Sequence, residues 1–139
     1  KKFKNKETSL CIGRIFSFTD KRQKKPYVIP SLIHKIINNK SEEIKISNVN
    51  HFRDFLSTKI ISKIIYQLSK KKSKGIFNIA SGQPLHLEKV ALLLCKKYKK
   101  KFVKSDYNLP TYLIANIKKI SKVCPFPKKK FRNNLNFLY

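Results

Sequence analysis

Few residues in this chain are equipped for chemistry, and Arg53 is the most telling of them. It stands between Phe52 and Asp54-Phe55. An arginine beside a half-buried strand must pair with an acid or face an anionic ligand, because its planar fork suits carboxylate and phosphate oxygens. Two readings are open on spacing alone: a local ion pair with Asp54, or a grip on a bound anion. Arg14, inside an apolar run, poses the same question.

The other candidates read as structural. Tyr66-x-x-x-Lys70 has the form of a tyrosine–lysine catalytic pair. Lysine is so common here that one such spacing is expected by chance, and this one falls on a helix used for packing and solvent. His34, His51 and His86 have no serine, cysteine or carboxylate at a telling distance. Gly13, Gly75 and Gly82 cannot form a G-x-G-x-x-G dinucleotide loop. Cys11, Cys95 and Cys124 lack metal or redox spacing. Cys11 and Cys95 sit in apolar blocks, so both are expected to be buried thiols in a reducing cytosol. With seven acidic residues there is little material for a carboxylate pair or a hard-metal site, and no metal is expected.

A net charge of +26 invites a nucleic-acid reading. The basic residues argue against it. Only Arg14, Arg22, Arg53 and Arg132 are arginine, and the rest of the 33 are lysine. Isoleucine and asparagine are also abundant, at 17 and 11. All three have A/T-rich codons. The lysines gather at 70–74, 96–101 and 118–122, where helices should end and cations are mildly favourable. Base-stacking aromatics interleaved with basic residues are scarce. A small lysine-rich nucleic-acid-binding protein is therefore the alternative, and nucleic acid is not the expected partner.

The elements that must position these residues follow from periodicity. Gly75–Ala80 reads as a buried strand, Ser81-Gly82-Gln83-Pro84 as a turn, and Leu87–Tyr98 as a helix capped at His86. Leu10–Phe18 is nearly continuous apolar sequence, which predicts a strand buried on both faces of a parallel sheet. Tyr27–Lys40 carries Ile29, Leu32, Ile33, Ile36 and Ile37 at helical spacing, with Pro30 in the first turn. Ile44–Ser47 alternates as a half-buried strand, and Phe52–Leu56 predicts a second short one. Ser57 or Thr58 can cap a helix whose apolar face is Ile60, Ile61, Ile64, Ile65 and Leu68. Lys101–Val103 suits a strand and Leu113–Val123 a short helix; Phe131–Tyr139 begins another apolar stretch. No apolar run approaches the ~20 residues that a membrane helix needs. The chain holds no methionine. Together with a parallel strand that lacks upstream neighbours, this leads to the expectation of further polypeptide before Lys1.

Four blocks in register carry a resemblance: Arg14-Ile15-Phe16-Ser17-Phe18, Tyr27-Val28-Ile29-Pro30, Arg53-Asp54-Phe55-Leu56 and Gly75–Gly82. Over about residues 9–124 the chain resembles the C-terminal half of the extended short-chain dehydrogenase/reductases, the NAD-dependent epimerase/dehydratase family acting on nucleotide sugars. The resemblance implies an α/β fold, with late parallel strands of a Rossmann-like sheet and a small substrate-binding subdomain. Residues 1–139 would form one fragment: 9–18 a Rossmann strand, 26–124 mostly substrate-binding subdomain, the dinucleotide-binding half absent.

The same resemblance implies site roles. Arg53 matches the arginine that binds the substrate diphosphate. Ser17 falls where the family usually has an asparagine contacting the nucleotide sugar, and Val28, Ile29 and Pro30 would line the nucleotide pocket. Ile15 and Phe16 would reach the cofactor, NAD or NADP, held mainly by the absent half. The glycine fingerprint and the catalytic tyrosine–lysine pair would lie there too, so no catalytic residue is expected in this chain. Ser57-Thr58-Lys59 replace acidic residues common after Arg-Asp-Phe, and Leu109-Pro110-Thr111 offers no second phosphate-binding arginine. The expectation is the nucleotide-sugar-binding portion of an NAD(P)-dependent epimerase, dehydratase or reductase, cytoplasmic, its parent a homodimer.

Overall fold

The computed structural model describes residues 9–105 and 108–125. In chain order the elements are β1 (Cys11–Ile15), β2 (Ser17–Thr19), α1 (Val28–Asn38), β3 (Glu43–Ile46), β4 (His51–Arg53), β5 (Phe55–Ser57), α2 (Thr58–Lys70), β6 (Gly75–Ile79), β7 (Leu85–His86), α3 (Leu87–Lys97), β8 (Lys101–Lys104), β9 (Thr111–Leu113) and α4 (Lys118–Ser121). This is the α/β mixture expected.

Three parallel pairs recur: β1 with β6, β2 with β5, and β3 with β8. Parallel neighbours need crossovers, and helices supply them. A fourth sheet places β4 between antiparallel β7 and parallel β9. The β1–β6 pair runs on through the Phe16 amide, which donates to the Ile79 carbonyl at 3.2 Å.

Two cores result. One gathers Ile29, Leu32 and Ile36 of α1, Ile44 and Ile46 of β3, and Val90, Ala91, Leu94 and Cys95 of α3. The other gathers Ile61, Ile64 and Leu68 of α2 with Phe77, Ile79 and Ile120. Between them runs β5. Its side chains alternate, as strand geometry demands, so Phe55 enters the first core and Leu56 the second.

Several expectations hold and several do not. α1, α3, β3 and β8 form where periodicity places them, with His86 at the start of α3. Ser57 precedes α2 but makes no side-chain cap bond. Ile37 and Ile65 are exposed, because each lies at the margin of its helix's apolar stripe. The Leu10–Phe18 run is not one buried strand. It breaks at Phe16 into β1 and β2, and every residue of β1, Cys11 included, is exposed. Among the described residues only β6 flanks β1, so one edge is unpaired and Ile12 and Ile76 lie open on one face. Phe52–Leu56 is likewise two strands in different sheets, divided at Asp54. Leu113 belongs to β9, and the predicted last helix shrinks to the four residues of α4. Phe131–Tyr139 lies outside the described residues.

Candidate nucleotide-phosphate site

Arg53 ends β4 and is half-buried. Its Nη1 donates to its neighbour's carbonyl, Phe52 O, at 2.9 Å, and to Thr111 O at 3.2 Å and Thr111 Oγ1 at 3.0 Å. A guanidinium carries five N–H donors. The two on Nη1 are engaged, which leaves the Nε–Nη2 edge without a protein partner among the described residues. That edge is the bidentate fork that fits a phosphate.

Asp54 is not its ion partner. The Asp54 side chain is fully buried, at 0% exposure, and faces the other way. Oδ1 accepts from the Ser81 amide at 2.7 Å and the Ser81 hydroxyl at 2.6 Å. Oδ2 accepts from the Gly82 amide at 2.8 Å and the Ala115 amide at 3.3 Å. Each oxygen thus accepts from two donors. The local ion-pair reading of Arg53 is thereby excluded.

The Asp54 carboxylate pins the turn after β6 and the chain after β9 to the β4–β5 junction. Gly82 is required in this cradle. Its φ is +70°, and a Cβ there would stand 2.8 Å from the Ile117 side chain.

A cavity of about 530 Å³ opens beside α1, walled by Ile29, Pro30, Ile33 and Ile37 and rimmed by Lys21, Lys24, Lys25 and His34. The one acid on this rim, Asp20, is already engaged. Arg22 Nε donates to it at 2.8 Å, and the Thr58 hydroxyl bonds its other oxygen. The Arg22 bond, helped by Thr58, holds the Asp20 carboxyl well below the usual carboxylate range. An apolar wall under a cationic rim suits a ligand with a flat ring and an anionic end.

Of the residues singled out from the sequence, Ile29 and Pro30 line this cavity. Val28 is largely exposed at the start of α1 and is not in the cavity wall. Ser17 opens β2 opposite Phe55. Ile15 ends β1, and Phe16 follows it. Arg53 lies on the β7–β4–β9 sheet, outside the cavity wall. Sequence reasoning missed Thr111, read His51 as structural, and weighed Asp54 only as an ion partner of Arg53. Among the described residues no cluster could hold a metal ion, and no helix is long and apolar enough to cross a membrane.

No family model matches this chain, and no curated protein matches it. Solved structures do. RMD from Pseudomonas aeruginosa complexed with NADPH superposes at a TM-score of 0.69 with 16% identity, over 81% of this chain and 41% of that one. UDP-glucuronic acid 4-epimerase from Bacillus cereus, bound to a fluorinated UDP-sugar and NAD, gives 0.68 at 21%, over 91% and 43%. UDP-N-acetylglucosamine 4-epimerase from Methanobrevibacter ruminantium gives 0.62 at 21%, over 85% and 40%. The fold is that of the C-terminal portion of the NAD-dependent epimerases and dehydratases, the extended short-chain dehydrogenase/reductase fold. The chain spans about two-fifths of the length of these structures.

Proposed function

We propose that this chain is the nucleotide-sugar-binding portion of an NAD(P)-dependent sugar-nucleotide epimerase, dehydratase or reductase. The observation that carries the reading is Arg53: its Nη1 is anchored, and among the described residues no carboxylate engages it and its Nε–Nη2 edge is unengaged. In this reading that edge grips the diphosphate. Ser17 contacts the sugar nucleotide, and Val28, Ile29 and Pro30 lie against the nucleoside, for which the cavity wall at Ile29 and Pro30 is support.

Among the described residues the glycines do not come together as a dinucleotide cradle. Gly13, Gly75 and Gly82 lie in three separate places, and a Cβ at Gly13 would meet Ile79 at 2.6 Å, so that glycine serves strand packing. NAD or NADP would be held chiefly by polypeptide beyond this chain, with Ile15 and Phe16 at the carboxyl end of β1 touching it. The unpaired edge of β1 and its open face suit that neighbour, because parallel sheets are ordinarily covered on both faces. This chain's own residues bind and orient the nucleotide; the hydride step is not theirs. The parent would be a cytoplasmic homodimer.

The test is calorimetric titration of the chain with UDP. Arg53→Ala removes a charge-assisted fork and should weaken binding about 10- to 100-fold. Equal affinity in the two proteins would remove the reading.

A further inference from the structure

Arg53 does not hold its own orientation. Residues 51 and 53 lie on one face of β4, and the parallel register sets Thr111 opposite His51. Thr111 Oγ1 therefore stands between the two side chains, 3.0 Å from Arg53 Nη1 and 2.9 Å from His51 Nδ1. His51 Nε2 in turn lies 2.7 Å from Asn48 Oδ1. Asn48 has a left-handed φ of 58°, which turns its side chain back onto the residue three positions ahead.

For a neutral His51 ring, the direction of each bond from Arg53 through Thr111 and His51 to Asn48 follows from donor chemistry. Arginine has only donors, so Thr111 Oγ1 accepts from Nη1. The Asn48 carbonyl oxygen has only lone pairs, so His51 Nε2 must carry a proton and donate. A neutral ring with its proton on Nε2 has an acceptor at Nδ1, and the Thr111 hydroxyl proton goes there. Each group is used in its one remaining sense. The Asn50 Nδ2 bond to Asn108 O, at 2.5 Å, ties down the segment that leads into β9.

We infer that Thr111 and His51 are positioning residues of the phosphate site, setting the Arg53 guanidinium through the bond sequence Arg53 to Thr111 to His51 to Asn48. The inference rests on the reading of Arg53 as a diphosphate ligand and adds two residues to it. Neither touches the ligand. They hold Nη1 so that the opposite edge of the fork faces outward.

The experiment measures affinity for UDP and for uridine in the unaltered chain, Arg53→Ala, Thr111→Val and Thr111→Ser. In parallel, the tautomer of His51 is read by nitrogen-15 NMR. Valine keeps the branched shape of threonine on β9 and deletes the hydroxyl. It should weaken UDP about five- to tenfold and leave uridine unchanged, with serine restoring UDP affinity. His51 should carry its proton on Nε2, and that preference should relax in Thr111→Val.

Three results would overturn the inference. One is full UDP affinity in Thr111→Val while Arg53→Ala loses it. Another is equal loss of uridine and UDP, which marks a merely structural effect. The third is a protonated Nδ1 in the neutral ring of the unaltered chain. Unchanged UDP affinity in Arg53→Ala would sink the diphosphate reading instead, and the tautomer would then decide the bond sequence by itself.

Discussion

Replacing Asp54 by asparagine probes the junction on which Arg53 stands. The carboxylate takes two donors on each oxygen. An asparagine keeps one oxygen. If it keeps the Ser81 side, its NH₂ faces the Gly82 and Ala115 amides, donor against donor. Two charge-assisted bonds are lost at about 1.5–3 kcal/mol each, the 3.3 Å contact to Ala115 at the weak end. Relief of the cost of burying a charge offsets part of this. The net loss is then about 2–4 kcal/mol. At roughly 4 °C per kcal/mol for a domain of this size, Tm should fall by roughly 8–16 °C. Circular dichroism melts of the two proteins at neutral pH measure it. A fall of under about 2 °C would refute the reasoning, since it would mean that the four contacts carry no net stability.

Two further outcomes are expected. Asp20 and Glu43 both titrate below the ordinary carboxylate range, Asp20 through Arg22 and Glu43 through Lys101. Their contribution is complete above the unfolded pKa of about 4 and is lost as pH falls through the folded values. Tm should therefore drop with acidification below about pH 4, and Asp20→Asn should flatten that drop; an unchanged slope in the variant would contradict the pairing. Cys11 is exposed, whereas burial pushes the Cys95 and Cys124 thiols up. Iodoacetamide at pH 8 should add one group quickly to the native chain and three after urea, as read by mass spectrometry. Equal rates at all three thiols would contradict it.

The sequence was most legible where one element carries its own signal. The stripe of Val90, Ala91, Leu94 and Cys95 gives α3, and the alternation at Ile44 and Ile46 gives β3, because each period reports a single buried face. Burial of β1 was not legible. Apolar residues state a preference for cover, and only neighbours can satisfy it. The Arg53–Asp54 question was closed by residues far along the chain: Ser81 and Gly82, 27 and 28 positions from Asp54, and Ala115, 61 away. His51 and Thr111 are 60 apart and meet only because β4 and β9 run in register. Local composition holds no trace of such contacts. The four-block resemblance reached further, since an ordered set of motifs carries tertiary information that periodicity lacks.

The alternation along β5 has a mechanical consequence. Phe55 and Leu56 are successive residues anchored in separate cores, so this three-residue strand is a shared partition. Inserting or deleting one residue after Asp54 would turn both anchors to the wrong side at once. Neither half can come apart without pulling its wall out of the other, so the two halves lose their structure together.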